Sequence, residues 1–437
     1  MTRFRFIGAA LLGITVLTVA AGLHGLRVYD DPQAFWPFQA GLGASVLIYF
    51  AAVAWLRRGG EVDVSTILIV AIIARLALLL APPLLSSDLY RYVWDGRVQM
   101  AGINPYLFVP ADDALKFLRD AAIYPNINRA DYAHTIYPPA AQAFFALVAA
   151  ISPSLLALRV SMAGLDVAAI WALIRLLDRA GRSRAQVLIY AWNPLVLWEF
   201  ANNAHIDALA TLLALLGVLL VIARRPGWAG AALGAAMLTK FLPAIVAPAL
   251  WRRGGGRMAL TSGMVTVALY AAYARWDHAG WQVLGFLGQY RQEEALDTAA
   301  GYWALALLGR IAPLPGWAVS LYLALAASGL AALGWFVAFR LKPEDAGTIC
   351  RAAAALILAL LLVLSPHYAW YYAWLAAFAA VAPSRASIWL STAALLLYRQ
   401  TLPNHVLLPS LVFAPTLVFL WADWRARQPG LALQGKN

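Results

Sequence analysis

Apolar runs long enough to cross a bilayer recur along the whole chain, and this repetition constrains the fold more than any other feature. A helix needs about 20 apolar residues to span a membrane, and several runs meet that length. Of the 437 residues, 63% are hydrophobic and only 12% are charged, far from the usage of soluble domains. We therefore expect an all-α polytopic membrane protein in contact with membrane lipids, with residues 1–437 forming a single integral membrane domain.

Short basic clusters separate the apolar runs and indicate the topology, because Lys and Arg are enriched in cytoplasmic loops. The formal net charge of +12 is explained by this orientation signal, so we expect no nucleic acid partner. Counting the runs between the clusters predicts about eleven to thirteen membrane segments. The run over residues 228–251 lies between two basic turns, and its prolines Pro243 and Pro248 permit a broken hairpin. The first, Phe4 to Leu26, is interpreted as a helix rather than a cleaved signal peptide, followed by an outer loop with Asp30 and Asp31.

Four polar clusters that are far apart in the sequence fall on the same, extracytoplasmic side in this topology. They are residues 88–104, 202–207, 278–294 and 367–371. The first lies in the largest hydrophilic excursion, residues 86–137, which we call the first outer loop. We expect this loop to form extracytoplasmic juxtamembrane helices, one of them over residues 111–122. The third cluster lies in a second outer loop, residues 276–300. Because crossing helices can bring such ends together, the pattern predicts one cavity on this face.

The first cluster contains the densest set of chemical groups. Interpreted as a helix over residues 88–100, it places Asp88 and Asp95 seven residues apart on one face, with Arg91 and Tyr92 between them on the same side. Carboxylates, arginines and aromatic rings at the mouth of a membrane span favour a site for a polar, phosphorylated ligand. The alternative is an ordinary membrane-exit loop, which is commonly charged and aromatic.

Ionisable side chains inside apolar runs form a second group of candidates, because a charge at membrane depth is costly and usually functional. Asp207 and Lys240 have this position. For Lys240, the alternative is snorkelling to a lipid headgroup. For Asn202, Asn203, His205 and Asp207, the alternative is a polar turn held by interhelical hydrogen bonds. A histidine and an aspartate could also ligate a metal, but two ligands are too few to specify one.

His367 and Tyr368 follow a proline, which ends a helix where a side chain can face a cavity. The alternative is an interfacial aromatic girdle, because more tyrosines lie nearby. Cys350 is the only cysteine, which excludes an internal disulfide and a thiolate metal cluster. The sequence contains no phosphate-binding glycine loop, Gly-x-Ser-x-Gly elbow or His-Glu-x-x-His pair. We expect no cofactor and no metal.

Together, these motifs resemble the polytopic glycosyltransferases of the GT-C fold, and most closely the bacterial polyprenyl-phosphate-mannose-dependent α-mannosyltransferases. The blocks that carry the resemblance are Ser87–Arg97, Gly102–Tyr106, Tyr137–Pro139, Asn202–Asp207, Leu238–Pro243 and Ser365–Tyr368. The resemblance implies a polyprenyl-phosphate-linked sugar donor, with mannose as the family's hexose, and a lipid or glycan acceptor. It also implies a multi-pass protein of the bacterial inner membrane whose active site faces the periplasm or cell exterior.

The resemblance assigns Asp88 the role of general base in a transfer that inverts the anomeric centre. A carboxylate suits this role because an acceptor hydroxyl is a poor nucleophile until its proton is removed. The leaving polyprenyl phosphate is anionic, so it needs positive charge and hydrogen-bond donors. The candidate donor- and substrate-binding residues are Arg91, Tyr92, Asp95, Arg97, Asn104, Asn203, His205, Asp207, Lys240, His367 and Tyr368.

Two other functions are alternatives to the glycosyltransferase. A transporter or flippase of a lipid-linked glycan would need polar residues on both faces and usually has internal repeats, and the sequence shows neither. A polymerase or ligase of a lipid-linked glycan would use a similar cavity with a larger acceptor groove, which the sequence does not separate from a single-sugar transferase. No appended soluble domain is recognised, which favours a glycolipid, polysaccharide or lipid acceptor over a folded protein.

Overall fold

The computed structural model describes residues 2–24, 32–399 and 406–427, and the secondary structure within these ranges is entirely helical. The predicted all-α class is confirmed. The outer loop expected at Asp30 and Asp31 lies outside the described residues. The α-helices are α1 (Thr2–His24), α2 (Pro32–Arg57), α3 (Val64–Leu79), α4 (Asp88–Met100), α5 (Pro139–Ile151), α6 (Leu155–Arg179), α7 (Leu188–Ala191), α8 (Pro194–Val196), α9 (Asp207–Ile222), α10 (Pro226–Met237), α11 (Ala247–Arg275), α12 (Leu287–Glu293), α13 (Trp303–Gly309), α14 (Ala318–Trp335), α15 (Ala346–Leu364), α16 (Ala373–Val381), α17 (Arg385–Ala393) and α18 (Leu407–Arg425).

Among the described residues, six helices are long and apolar enough to cross a membrane, which identifies a polytopic protein. They are α1, α2, α6, α14 with its π-helical extension to Leu341, α15 and α18. A seventh candidate is the pair Pro194–Asn202 and Asp207–Ile222, which we call the broken span because its two parts are bent by 115°. The sequence predicts eleven to thirteen membrane segments, more than these six or seven, because several apolar runs are divided into short helices by prolines and polar turns.

Helix α4 has the bounds that the sequence predicts, Asp88–Met100. It ends next to Gly102, whose φ of 78° is the left-handed conformation that glycine adopts without a steric cost. Its packing against α5 is close, because a Cβ at position 96 would lie 2.7 Å from the Phe145 carbonyl oxygen, and only Gly96 fits there. The start of α4, with Asp88, is therefore held at a fixed place beside the membrane helices.

The surface helix predicted over residues 111–122 is wrong. The structure has only a 3₁₀ turn, Asp113–Leu118. The guanidinium of Arg119 donates hydrogen bonds to the Pro110 and Asp112 carbonyl oxygens, and the Asp120 carboxylate accepts from the Ile123 amide. Such bonds between side chains and the local backbone compete with helical hydrogen bonds, so the segment folds as a chain of short turns.

The broken hairpin predicted within residues 228–251 is confirmed. Helix α10 ends at Met237, a 3₁₀ turn covers Leu242–Val246, and α11 begins at Ala247. We call residues 238–242 the hairpin tip, and Lys240 lies in it. Pro243 stands just after the tip, where its missing N–H interrupts the helical pattern.

Two asparagines of the broken span hold the segment that leads into α4. The Leu84 amide donates to Asn202 Oδ1 at 3.0 Å, and the Leu85 amide donates to Asn203 Oδ1 at 3.0 Å. Buried backbone amides require partners, and side-chain amides supply them where no helix does. These bonds bring the start of α4 next to the break between residues 202 and 207.

Candidate active site

A cavity of about 840 Å³ opens beside the start of α4. Its walls come from parts of the chain that are far apart in sequence, namely residues 83–91, 126–138, 239–242, 286–290, 367–371 and 397–398. The structure therefore brings the polar clusters of both outer loops, the hairpin tip and the turn after α15 around one space. Five of the sequence-predicted residues line it, and they are Asp88, Arg91, Lys240, His367 and Tyr368.

Asp88 is the first residue of α4, and its side chain is 19% exposed. Asn128 Nδ2 donates a hydrogen bond to Asp88 Oδ1 at 3.0 Å, and His205 Nδ1 lies 4.0 Å from Asp88 Oδ2. Asp88 is thus an oriented carboxylate at the cavity wall, which suits a general base.

Lys240 supplies a cation to the same cavity. Its Nζ lies 2.6 Å from Asp207 Oδ2 and 4.3 Å from the centre of the Tyr371 ring. The Lys240 side chain is 16% exposed and the Asp207 side chain 5%, so the lysine is the member of the pair that reaches the cavity. Asp207, the first residue of α9, holds the ammonium group from behind. This arrangement leaves ammonium protons available to an anionic ligand.

His205 and Glu199 form a buried polar layer behind the cavity wall. The imidazole of His205 stacks on Trp370 with 4.2 Å between ring centres, and His205 Nε2 lies 3.3 Å from Glu199 Oε2. Glu199 accepts hydrogen bonds from the Tyr398 hydroxyl at 2.5 Å and from Asn203 Nδ2 at 3.2 Å. Sequence analysis missed Glu199, although a single carboxylate inside an apolar run was a usable signal.

Arg91 and Asp95 form an ion pair within α4. Arg91 Nε donates to Asp95 Oδ1 at 2.8 Å, and the Asp95 carboxylate also accepts from Thr135 Oγ1 at 2.5 Å and from Gln142 Nε2 at 2.8 Å. Asp95 is only 1% exposed and does not line the cavity. The two carboxylates on this face of α4 thus have different surroundings, since Asp88 reaches the cavity and Asp95 connects α4 to the following loop and α5.

Arg97 and Asn104 lie away from the cavity. Arg97 donates to the Pro153 carbonyl oxygen and, at 2.5 Å, to the Asp120 carboxylate. Asn104 Nδ2 donates to the Tyr273 carbonyl oxygen at 2.8 Å, which connects the end of the first outer loop to α11. Both side chains are engaged in joining segments of the fold.

Tyr92 and Asn203 also lie outside the cavity lining. Tyr92 stacks on Phe145 with ring centres 4.7 Å apart. Asn203 accepts from the Leu85 amide and donates to Glu199. They support the cavity wall from behind, next to the residues that face the space.

A second charged group joins the two outer loops at the cavity rim, and its member Arg129 is not among the residues predicted from the sequence. Arg129 lies 2.6 Å from Glu293 Oε2 and 3.2 Å from Glu294 Oε1, and the Tyr368 hydroxyl donates to Glu294 Oε1 at 2.9 Å. We call these four residues the rim cluster. Burial raises the pKa of Glu294 above its usual range, while Tyr368 and Arg129 act in the opposite direction.

Arg129→Gln is expected to loosen α12 from the first outer loop, because it leaves Glu294 buried without its cation. A carboxyl whose pKa is higher in the folded state than in the unfolded state holds its proton more tightly when folded. The native contacts of Glu294 are therefore most stable at low pH and weaken as pH rises through its raised folded-state pKa. Without Arg129 this pKa rises further, and the weakening grows. Hydrogen exchange of residues 285–296, measured against pH, checks this.

The matched control is Arg291→Gln, which removes an exposed arginine from α12 itself. Exchange in the control should follow the wild type. Equal exchange in Arg129→Gln and Arg291→Gln at every pH would contradict a holding role for Arg129.

Within the described ranges, no group of three or more His, Cys, Asp or Glu side chains is arranged to hold a metal ion. Among the described residues that line the cavity, the charged groups are the Asp88 carboxylate and the cations of Arg91, Arg129 and Lys240, accompanied by histidine and tyrosine side chains. The described residues thus form an all-helical, polytopic membrane protein with a cavity lined by charged side chains.

Comparison with known proteins places this chain in a family. Residues 3–252 match the MptA_B family, described as "Alpha-(1->6)-mannopyranosyltransferase, N-terminal domain". Because the match covers more than half of the 437 residues, the chain belongs to this family. The resemblance to polytopic mannosyltransferases is confirmed. Asp88, His205, Asp207 and Lys240 lie within the matched part, and Tyr368 lies beyond it.

The chain is also similar to Alpha-(1->6)-mannopyranosyltransferase A from Mycobacterium tuberculosis (strain ATCC 25618 / H37Rv). The two are 27% identical over 238 residues, which is 50% of this chain and 46% of the relative. The chain thus matches about half the length of that protein. No solved structure matches the chain significantly.

Proposed function

We propose that this protein is an inverting mannosyltransferase that transfers mannose from a polyprenyl-phosphate donor to a lipid or glycan acceptor on the extracytoplasmic side of the bacterial inner membrane. The observation that carries the proposal is that Asp88 and Lys240 line one cavity of about 840 Å³. Family membership supports mannose as the sugar. The related mycobacterial protein, which is named as an α-(1→6)-mannopyranosyltransferase, supports a glycan acceptor.

Asp88 acts as the general base in this reaction. It accepts the proton of the acceptor hydroxyl while that oxygen bonds to the anomeric carbon and the bond from this carbon to the phosphate oxygen breaks. The electron pair of the broken bond leaves with the polyprenyl phosphate. Attack from the side opposite the phosphate inverts the anomeric centre. The bond from Asn128 keeps the carboxylate oriented towards the acceptor.

Lys240 stabilises the leaving phosphate, whose negative charge grows in the transition state. His367 and Tyr368 line the same cavity and add hydrogen-bonding groups, and Arg91 lies at the wall near Asp88. The apolar part of the lining includes Leu84, Leu85, Phe241, Leu242 and Leu397. These side chains suit the first isoprene units of a lipid-linked donor.

The test is transfer of radiolabelled mannose by the purified protein to a total lipid extract and to mannan oligosaccharides. We expect label to move from polyprenyl-phosphate-mannose and not from a nucleotide-linked mannose, with no change on adding a chelator. The control is the same detergent preparation from cells without the protein. Transfer from the nucleotide sugar alone would contradict the donor assignment.

Sealed vesicles of known orientation test the sidedness and separate the transferase from a flippase. With the donor in the bilayer, only a water-soluble acceptor on the extracytoplasmic side should be labelled. Movement of labelled donor between leaflets without a new glycosidic bond would instead indicate a transporter.

A further inference from the structure

We propose that His205 and Glu199 form a proton-holding chain behind Asp88. In this chain, the proton that Asp88 removes from the acceptor passes to His205, and Glu199 stabilises the imidazolium that results. The inference rests on the proposed role of Asp88 as general base. It assigns His205 and Glu199 as positioning residues that act through Asp88 and do not touch the substrates.

The geometry places one imidazole between two carboxylates. His205 Nδ1 lies 4.0 Å from Asp88 Oδ2, and His205 Nε2 lies 3.3 Å from Glu199 Oε2. His205 is fully buried, and neither of its ring nitrogens makes a hydrogen bond within the described residues. Buried polar atoms without partners are costly and need an explanation. Catalytic hydrogen bonds are often long without substrate and shorten in the reacting complex, which explains these two distances.

The surroundings of Glu199 determine which nitrogen of His205 carries the proton in the resting state. Glu199 accepts from the Tyr398 hydroxyl and from Asn203 Nδ2, so both of its oxygens face donors. A neutral His205 imidazole with its proton on Nε2 adds one more donor that faces Glu199. The Nδ1 lone pair then faces Asp88, and a bond between them requires a proton, which Asp88 acquires during transfer.

Trp370 holds the imidazole plane in place. The rings of His205 and Trp370 are 4.2 Å apart with an interplanar angle of 20°, and Tyr368 stacks on Trp370 at 4.4 Å. A cation over an aromatic face is attracted to it, so this stack also favours the imidazolium. Since Trp370 and Tyr368 line the cavity, the stack connects the buried histidine to the substrate space.

Both ring nitrogens of His205 face a carboxyl group. Four charged groups face His205. Asp88 comes from α4, Glu199 from the π-helix Leu197–Asn202, Asp207 from α9 and Lys240 from the hairpin tip. Asp207 and Lys240 pair with each other at 2.6 Å and largely cancel. Asp88 and Glu199 therefore lie on opposite sides of His205, with Asp88 facing Nδ1 and Glu199 facing Nε2.

The proton transfer is balanced in two steps. First, Asp88 Oδ2 takes the hydroxyl proton as the new glycosidic bond forms and the polyprenyl phosphate departs with the bonding electrons. Second, the proton moves from Asp88 Oδ2 to His205 Nδ1, while Nε2–H stays against Glu199. Asp88 is again a carboxylate, and the proton is held on His205 until water enters the emptied cavity.

The test compares His205→Gln and Glu199→Gln with wild type in the mannose transfer assay. We expect kcat to fall about 100-fold in His205→Gln, at the lower end of what a positioned acid–base group contributes, with the donor KM unchanged. Glu199→Gln should lower kcat less, in the same direction. His278→Gln is the matched control, because His278 is exposed on the second outer loop and should keep wild-type kcat.

A double-mutant cycle with Asp88→Asn separates this chain from a structural role. If His205 acts only through Asp88, adding His205→Gln to Asp88→Asn lowers the residual rate no further. A further loss equal to that in the single variant would overturn the proposal, as would wild-type kcat in folded His205→Gln or a rise in KM alone. If His205→Gln does not fold, wild-type kcat in Glu199→Gln overturns it.

If the proposed function itself is wrong, the rates of the variants follow a different pattern. Transfer by wild type that Asp88→Asn leaves intact overturns Asp88 as the base and the proton-holding chain with it. Loss of transfer in Asp88→Asn with full kcat in both His205→Gln and Glu199→Gln overturns the chain alone.

Discussion

Asp88→Asn is expected to lower the kcat of mannose transfer about 10²–10⁴-fold, because an amide oxygen cannot take up the acceptor proton. The replacement keeps the shape of the side chain and an oxygen that can accept the bond from Asn128. The KM of the donor should therefore stay near its wild-type value. Single-turnover transfer from radiolabelled polyprenyl-phosphate-mannose measures the rate directly.

Asp113→Asn is the matched control, because Asp113 is an exposed carboxylate of the same outer loop. Its kcat should equal that of the wild type, which excludes a general effect of removing negative charge. A folded Asp88→Asn protein that transfers mannose at the wild-type rate would show that another group is the base.

Asp95→Asn is expected to act on stability and not on the chemical step. Asp95 accepts three hydrogen bonds, one of them from the buried guanidinium of Arg91. Removing one partner of a buried ion pair leaves the other charge uncompensated, which typically costs about 3–5 kcal/mol. The melting temperature in detergent should fall by many degrees, while the folded fraction retains transfer activity.

Asp120→Asn is the control for Asp95→Asn. Asp120 is 39% exposed in its pair with Arg97, and exposed pairs contribute about 0–1 kcal/mol. Its melting temperature should stay close to that of the wild type. A stable Asp95→Asn protein with a greatly reduced kcat would reverse the roles of Asp88 and Asp95.

The sequence predicts α4 and the hairpin tip well, because both depend on local signals. Helix α4 is a polar segment that ends just before Gly102 and Pro105. Pro243 and Pro248 interrupt the apolar run that contains Lys240. Lys240 and Asp88 line the same cavity because both lie at helix ends on the same side of the protein. A charge within an apolar run was an informative signal for Lys240 and Asp207, which form an ion pair.

The contacts that decide the remaining roles are not readable from the sequence. Glu199 reaches His205 only because the chain bends by 115° between the two parts of the broken span. Arg129 and Glu294 are 165 residues apart, and their pairing depends on how two outer loops fold over the cavity. Asn104 has the residue type of a ligand-binding group, but its amide is used by backbone carbonyls of α11 and the turn after it.

The hydrogen bonds that the Leu84 and Leu85 amides donate to Asn202 and Asn203 have a mechanical consequence. They fasten the start of α4 to the broken span, so we expect these two parts to keep their relative position. The lipid-facing spans are less enclosed, with 17% of the apolar window of Ala318–Leu341 and 22% of that of Leu407–Arg425 buried. Such helices adapt to bilayer thickness by tilting. We therefore expect these outer helices to absorb hydrophobic mismatch, while the geometry around Asp88 stays the same in lipids of different length.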